Sequence, residues 1–383
     1  MRSTGEDVGL TQSMSSLPLA LDAIGAVIVA CAVSAAMVPA SMWLAPKLGV
    51  VDHPDADRHT HSRPTPRLGG IALFAGFAVA VALFGGESAQ RWSVVAITGA
   101  ICLAMVIDDA LSMPWWLKLS IETCVAAAVG LTGTLITFLA LPGAGSTLLV
   151  HLGWAALPVT MIWIVGTQNS INLIDGVDGV AAGVVAIAGL VLLVAAVERL
   201  SVDPGVQSGV IVLSAALVGC CLGFLFFNFS PARVFMGDSG SHFLGVAIGM
   251  VTILGVAKVA VALALIVPVL ALGLPIGDTA FAIWRRGRSG QGIAVADRGH
   301  IHHRLLDRGL SARETALFFY LITAALGCLG LTLLGHALLL LVLAALLFAG
   351  VGVLVVRTRG RIQVGPPGKP PMEAVPPGRS SLG

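Results

Sequence analysis

Apolar residues along this chain occur in long runs rather than in alternation, and short polar segments punctuate the runs. Read as buried or lipid-facing helices, the runs predict eleven spans. They are Leu17–Leu44, Leu68–Phe84, Trp92–Ile107, Trp115–Ile136, Trp154–Thr167, Val180–Val197, Gly209–Phe227, Phe243–Val256, Val259–Trp284, Ala316–Leu334 and Ala337–Val356. Several are shorter than the roughly 20 residues that cross a bilayer, so neighbouring polar residues are expected to extend them. The first run is too long, and with Asp22 its start too acidic, for a cleaved signal peptide. The predicted fold class is all-α: a polytopic membrane domain over residues 1–356, with a Pro- and Gly-rich disordered tail at 357–383.

Composition sharpens this reading. Of 383 residues, 57% are hydrophobic and 11% charged, with a mean hydropathy of +0.95. Soluble domains carry about 25% charged residues, so a soluble enzyme, a disordered chain and a nucleic-acid binder are excluded. Apolar continuity and a single tyrosine argue against an outer-membrane barrel, whose strands alternate. The 6 cysteines contain no CxxC pair, so neither a disulfide framework nor a zinc site is indicated.

Charge placement gives orientation. Of the 22 Lys and Arg residues, 18 lie after odd-numbered spans or in the tail; Arg2, Arg91, Arg199 and Lys258 are on the other side. The positive-inside rule therefore places the amino terminus outside and the odd-span loops and tail in the cytoplasm. Six tryptophans, Trp43, Trp92, Trp115, Trp116, Trp154 and Trp284, fall at span ends, where an interfacial belt belongs.

The chemistry-bearing segments obey the same parity. The Asp52–Gly70 loop, with Arg58, His61, Arg63 and Arg67, follows the first span. Asp108–Asp109 follows the third, the Asn169–Gly179 run the fifth, Asn228–Gly240 the seventh, and His300-Ile-His302-His303-Arg304 the ninth. Five polar segments on one face imply one cytoplasmic site. An acidic pair at a helix carboxyl end opposes the macrodipole, and held together it suits a general base or a cation. Asn169, Asn172, Asp175 and Asp178 recur every three residues, which one straight helix cannot aim at one point; Gly176 and Gly179 supply a break. Amide and carboxylate oxygens of this kind match a Mg²⁺ that also holds phosphates. Asp238 stands between Gly237 and Gly240, with Arg233 nearby as a phosphate partner. The histidines lack a Cys or spaced Glu, and with Arg298, Arg304 and Arg308 around them they read as an anion site. Glu122 and Asp278 are left as structural partners. Carboxylates and basic groups at the inner surface imply a divalent metal and a phosphate-rich substrate, and the apolar surroundings a second substrate in the bilayer.

Taken together, Pro64-Thr-Pro-Arg67-Leu-Gly-Gly70, Asp108–Asp109, the NxxNxxDGxDG run from Asn169, the NxxPAxxFMGDxG stretch from Asn228 and the HIHH segment resemble the polyprenyl-phosphate N-acetylhexosamine-1-phosphate transferases, glycosyltransferase family 4. The resemblance covers Asp52 to Arg308. It implies about ten or eleven helices, a cytoplasmic cleft, and Mg²⁺ with Mn²⁺ as a substitute. The reaction it implies is transfer of a sugar 1-phosphate from a UDP-sugar to polyprenyl phosphate, with release of UMP, at the first lipid-linked step of cell-envelope polysaccharide synthesis. By the same resemblance Asp238 and Asn172 are metal-associated, Asp108 and Asp109 are the paired catalytic acids, and Asp175 and Asp178 lie near the nucleotide-sugar. His302 is expected in catalysis; Arg67, Lys118, Asn169, Arg233, His300, His303 and Arg304 are expected to bind substrate. HIHH followed by Arg304 is similar to the branch using UDP-GlcNAc and undecaprenyl phosphate. The phospho-MurNAc-pentapeptide translocase has three consecutive histidines and then an acidic residue, and it is the alternative, together with a transferase for another UDP-HexNAc. A homodimer is compatible with either. A secondary transporter would place its acids near the midplane of an inverted repeat, and a CDP-alcohol phosphotransferase needs further Asp residues after Asp178; the sequence offers neither.

Overall fold

A computed structural model describes residues 4–52, 64–86, 89–142, 147–256 and 309–333, with isolated positions between 272 and 350. Its helices are α1 (Thr4–Leu44), α2 (Gly69–Phe84), α3 (Ala89–Leu111), α4 (Trp115–Leu131), α5 (Ala156–Ile174), α6 (Val180–Glu198), α7 (Pro204–Asn228), α8 (Gly237–Val256) and α9 (Ala312–Leu333). The first eight predicted spans and the tenth each have a helix. The ninth, the eleventh, the HIHH segment and the tail lie outside the described residues, apart from isolated positions. Among the described residues five helical stretches are long and apolar enough to cross a membrane: Leu17–Leu48, Gln90–Leu111, Val180–Glu198, Pro204–Asn228 and Ala312–Thr332. Trp43, Trp92, Trp115, Trp116 and Trp154 are all exposed.

The helices run past the apolar stretches into the motifs. Asp108 and Asp109 sit in the last turn of α3, Asn169 and Asn172 near the end of α5, and Asp238 in the first turn of α8. A helix satisfies its own backbone groups, which is why polar motif residues at a membrane boundary continue it. The fourth span is shorter than predicted. It ends at Leu131, and an antiparallel hairpin follows, β3 (Phe138–Pro142) paired with β4 (Thr147–His151). Residues 132–136, expected to continue the helix, form a turn and a loop instead, since apolarity alone does not fix where a helix ends.

Close packing is set by small residues. Gly219 and Gly223 on α7 let that helix lie against the backbone of α1 at Val27 and Cys31; a Cβ there would come within 2.3 and 2.2 Å of the two carbonyl oxygens. On α8, Gly245 lies against the backbone of Gln168 and Thr167 of α5, and Gly249 against the Thr167 side chain. Such four-residue spacing brings helices together where lipid offers no hydrophobic drive. α8 also packs against α3, α4 against α5, and α9 against α6. Thus α3, α4, α5 and α8, each carrying a motif residue at one end, surround a common point.

Candidate active site

The short segment before α2 is zipped to the segment before α8. Two-residue strands β1 (Val51–Asp52) and β2 (Thr65–Pro66) pair, Phe235 N donates to Pro66 O at 2.8 Å, and Gly69 N and Gly70 N donate to Phe235 O and Met236 O at 3.0 and 2.9 Å. This fixes Arg67 beside Gly237. Gly237 has φ +70°, and a Cβ there would collide with Arg67 O and the Asp109 carboxylate. A left-handed residue without a side chain is required for α8 to start at this place.

The two adjacent acids then diverge. The Asp109 side chain is fully buried; Oδ1 accepts from Asp238 N at 2.8 Å and Oδ2 from Ser239 N at 3.0 Å. It caps α8 from another helix, an anion at a helix amino terminus, and Arg67 approaches it at 3.7 Å. Asp108, also buried, instead turns toward Lys118. Its Oδ1 accepts from Met113 N at 2.8 Å, and its Oδ2 lies 2.7 Å from Lys118 Nζ. The same ammonium contacts Asp238 Oδ2, and Asn172 Nδ2 donates to Asp238 Oδ1 at 3.1 Å and to Ser241 Oγ at 3.0 Å. Arg67 is 3.9 Å from Asp238. Five predicted residues, Arg67, Asp108, Lys118, Asn172 and Asp238, therefore meet, and Asp109 holds the frame beneath them. The sequence treated the two acids as equivalent; consecutive positions on a helix point about 100° apart.

Asp175 follows α5 directly. Its carboxylate accepts no hydrogen bond among the described residues, and it is half-buried. Loss of water raises its pKa well above the usual carboxylate range; the charges of Asp238, Asp109 and Asp178 add to this and Arg67 opposes it. Asp178 has a different environment. It is buried and its Oδ2 accepts from Ala232 N at 2.9 Å. Next to it Gly179 N donates to Asn228 Oδ1 at 3.0 Å, Asn228 Nδ2 donates to Val234 O at 2.9 Å, and the Tyr320 hydroxyl of α9 donates to Gly179 O at 2.6 Å.

Two predicted binding residues turn elsewhere. Asn169 lies one turn back from Asn172 and donates to Glu122 and to Val165 O, inside the helix packing. Arg233 is exposed, donates to Phe226 O at 2.9 Å and stacks on Phe227 at 4.8 Å, outside the carboxylate cluster. His300, His302, His303 and Arg304 lie outside the described residues. Sequence reasoning passed over Ser241, His242 and Tyr320, and gave Asn228 no role of its own within its motif. Ser241 and His242 could have been found as positions three and four after Asp238, on the same helix face.

The donor set suits a hard divalent cation. Asp108 and Asp238 already share one cationic group, the Lys118 ammonium. Among the described residues no three His, Cys, Asp or Glu side chains form a ready-made cage. A Mg²⁺ held by these residues would complete its shell with water and with oxygens of substrate phosphates.

Comparison with known proteins supplies the lineage. The model of glycosyl transferase family 4 matches residues 91–256. The chain is 40% identical, over 73% of its length and 76% of the relative's, to a Bacillus subtilis protein named as a probable undecaprenyl-phosphate N-acetylglucosaminyl 1-phosphate transferase. It is 32% identical, over 73% of the chain and 74% of the relative, to the decaprenyl-phosphate N-acetylglucosaminephosphotransferase of Mycolicibacterium smegmatis. A phospho-N-acetylmuramoyl-pentapeptide-transferase of Synechococcus is 33% identical over 71% of the chain and 80% of the relative.

Proposed function

The chain belongs to glycosyl transferase family 4, and from that premise we propose that it transfers GlcNAc 1-phosphate from UDP-GlcNAc to undecaprenyl phosphate, releasing UMP. The observation that carries the reading is the meeting of Arg67, Asp108, Lys118, Asn172 and Asp238 from five separate segments. Carboxylates for a cation stand there beside cations for phosphate. The GlcNAc assignment is supported by the 40% identity to the Bacillus protein against 33% to the pentapeptide transferase.

The reaction is an in-line displacement at the β-phosphorus. An oxygen of the lipid phosphate bonds to that phosphorus while its bond to the oxygen leading to the α-phosphate breaks; UMP departs and the sugar keeps its own phosphate. Asp238 and Asn172 would hold Mg²⁺, with Asp108 and Asp175 alongside. When bound, the metal would offset charge on the diphosphate and on departing UMP. Asp108, rather than Asp109, is the acid free to take the residual proton of the lipid phosphate or to orient it, because both oxygens of Asp109 are committed to backbone amides. Lys118 and Arg67 would exchange carboxylate contacts for phosphate oxygens. The charge asymmetry puts this site at the cytoplasmic surface.

One assay tests the reading: detergent-purified protein, undecaprenyl phosphate, Mg²⁺ and a panel of UDP-sugars, with UMP release measured. UDP-GlcNAc is the expected donor, and a chelator should abolish turnover. Efficient use of UDP-MurNAc-pentapeptide with none of UDP-GlcNAc would move the chain to the translocase branch. Turnover that persists in EDTA would remove the metal from the mechanism. A cysteine at Ser289 should react with impermeant thiol reagents only after lysis; labelling in intact cells would invert the orientation.

A further inference from the structure

Beneath the site lies a second polar layer. Helices α4 and α8 begin at the site and α5 ends at it, so one turn inward from Lys118, Asp238 and Asn172 lie Glu122, His242 and Asn169. These three side chains meet one another. His242 Nε2 is 3.0 Å from Glu122 Oε1, and Asn169 Nδ2 donates to Glu122 Oε2. His242 Nδ1 is 2.9 Å from the backbone carbonyl oxygen of Asp238, and Ser241 Oγ lies 3.4 Å from both. Glu122 and His242 are each 1% exposed. Acidic and imidazole side chains are rarely buried so completely unless paired.

The hydrogen positions follow from chemistry. A carbonyl oxygen only accepts, so Nδ1 carries a hydrogen and donates to Asp238. Nε2 then either donates to the Glu122 carboxylate or accepts the hydrogen of its carboxyl form. In both cases the ring is held at both ends, and the pair carries no net charge. The chain of contacts runs from α5 through α4 to the first turn of α8, the turn that presents Asp238.

We propose that Glu122 and His242 are positioning residues that fix the Asp238 turn against α4 and α5 and thereby set the affinity of the site for its divalent cation. The inference rests on the reading of Asp238 as a metal-holding residue. Groups that brace the residues around a metal typically change affinity or activity by about 10- to 100-fold when removed. Both residues are buried one turn from the carboxylate cluster, so a role limited to packing would alter stability and leave cation affinity alone.

The test uses the full chain purified in detergent, with Mn²⁺ as the probe, titrated by electron paramagnetic resonance in the presence of UDP. His242→Leu should raise the Mn²⁺ Kd by roughly tenfold or more. In the transferase assay it should lower kcat with a smaller change in KM for UDP-GlcNAc. His242→Asn, whose amide can still donate to the Asp238 carbonyl, should recover part of the affinity. Glu122→Leu combined with His242→Leu should be little worse than His242→Leu alone, since the two act as one unit. Should the Leu variant fail to elute as a single species, His242→Asn and Glu122→Gln carry the comparison, each with a weaker Kd than wild type. Wild-type Mn²⁺ affinity in correctly eluting His242 variants would overturn the proposal, as would a wild-type protein that binds no Mn²⁺. Absence of UMP release from every UDP-sugar would overturn the transferase reading instead, and the Mn²⁺ titration would still decide this one.

Discussion

Two polar regions of this molecule are built from the same residue types and serve different ends. In one, Asp108, Asp238 and Asn172 meet mainly side chains, chiefly the ammonium of Lys118 and the guanidinium of Arg67, and Met113 N adds a backbone donor to Asp108. In the other, Asp178 and Asn228 are partnered by backbone: Ala232 N, Gly179 N and Val234 O, with Tyr320 closing on Gly179 O. A flexible cation can leave a carboxylate and be replaced by a metal ion or can turn to a phosphate. A backbone amide cannot leave without unfolding its segment. The type of partner, more than the residue itself, separates reactive groups from framework. Asp109 shows the rule within one sequence pair, since its neighbour Asp108 faces Lys118 while it caps α8.

That contrast can be broken by substitution, and the largest effect is expected at Asp238. Asp238→Asn removes the carboxylate shared by Lys118, Asn172 and Arg67, and should cut UMP release by roughly 10³-fold while the protein still inserts and elutes normally. Near-wild-type turnover at ordinary Mg²⁺ would make Asp238 a bystander. Asp108→Asn should lower kcat by roughly 10²-fold or more with little change in melting temperature, because its main partner is a side chain. A variant that instead melts early with intact kcat would put Asp108 in the framework.

The framework side should respond the other way round. Asn228→Ala removes two buried hydrogen bonds, to Gly179 and Val234, and should cost about 2 kcal/mol of stability, seen as a lower midpoint in thermal unfolding in detergent. Its kcat should fall far less than that of Asp108→Asn. Tyr320→Phe is the mildest case: it loses the bond to Gly179 O and should cost about 1 kcal/mol, with turnover nearly unchanged. A kcat loss in Tyr320→Phe as large as in Asp108→Asn would erase the distinction between the two regions.

Much of the site was legible in the sequence because its residue types are costly where they stand. Carboxylates and amides at the ends of apolar runs have few structural excuses, so Asp108, Asn172 and Asp238 stand out in the sequence, whereas Lys118 is marked only by the family resemblance. The partner of each was not legible. Asn169 shares the three-residue repeat with Asn172, but it turns inward to Glu122. His242 and Glu122, separated by 120 residues, pair because α4 and α8 both pack against α5. The HIHH segment, prominent in the sequence, lies outside the described residues.

By itself the sequence determined that the chain is a bundle of apolar helices with its polar motifs at their ends. Hydrophobic periodicity and the cost of charge in lipid act on each segment locally, and both can be read without knowing what touches what. Only the tertiary structure decided which of two adjacent aspartates caps a helix and which turns to Lys118, and which polar residues sit one turn away from the carboxylate cluster. Those outcomes depend on helix rotation and approach, set by contacts such as Gly245 and Gly249 against Thr167 and Gln168. A rotation of about 100° per residue exchanges one role for the other, and no local pattern in the chain fixes it.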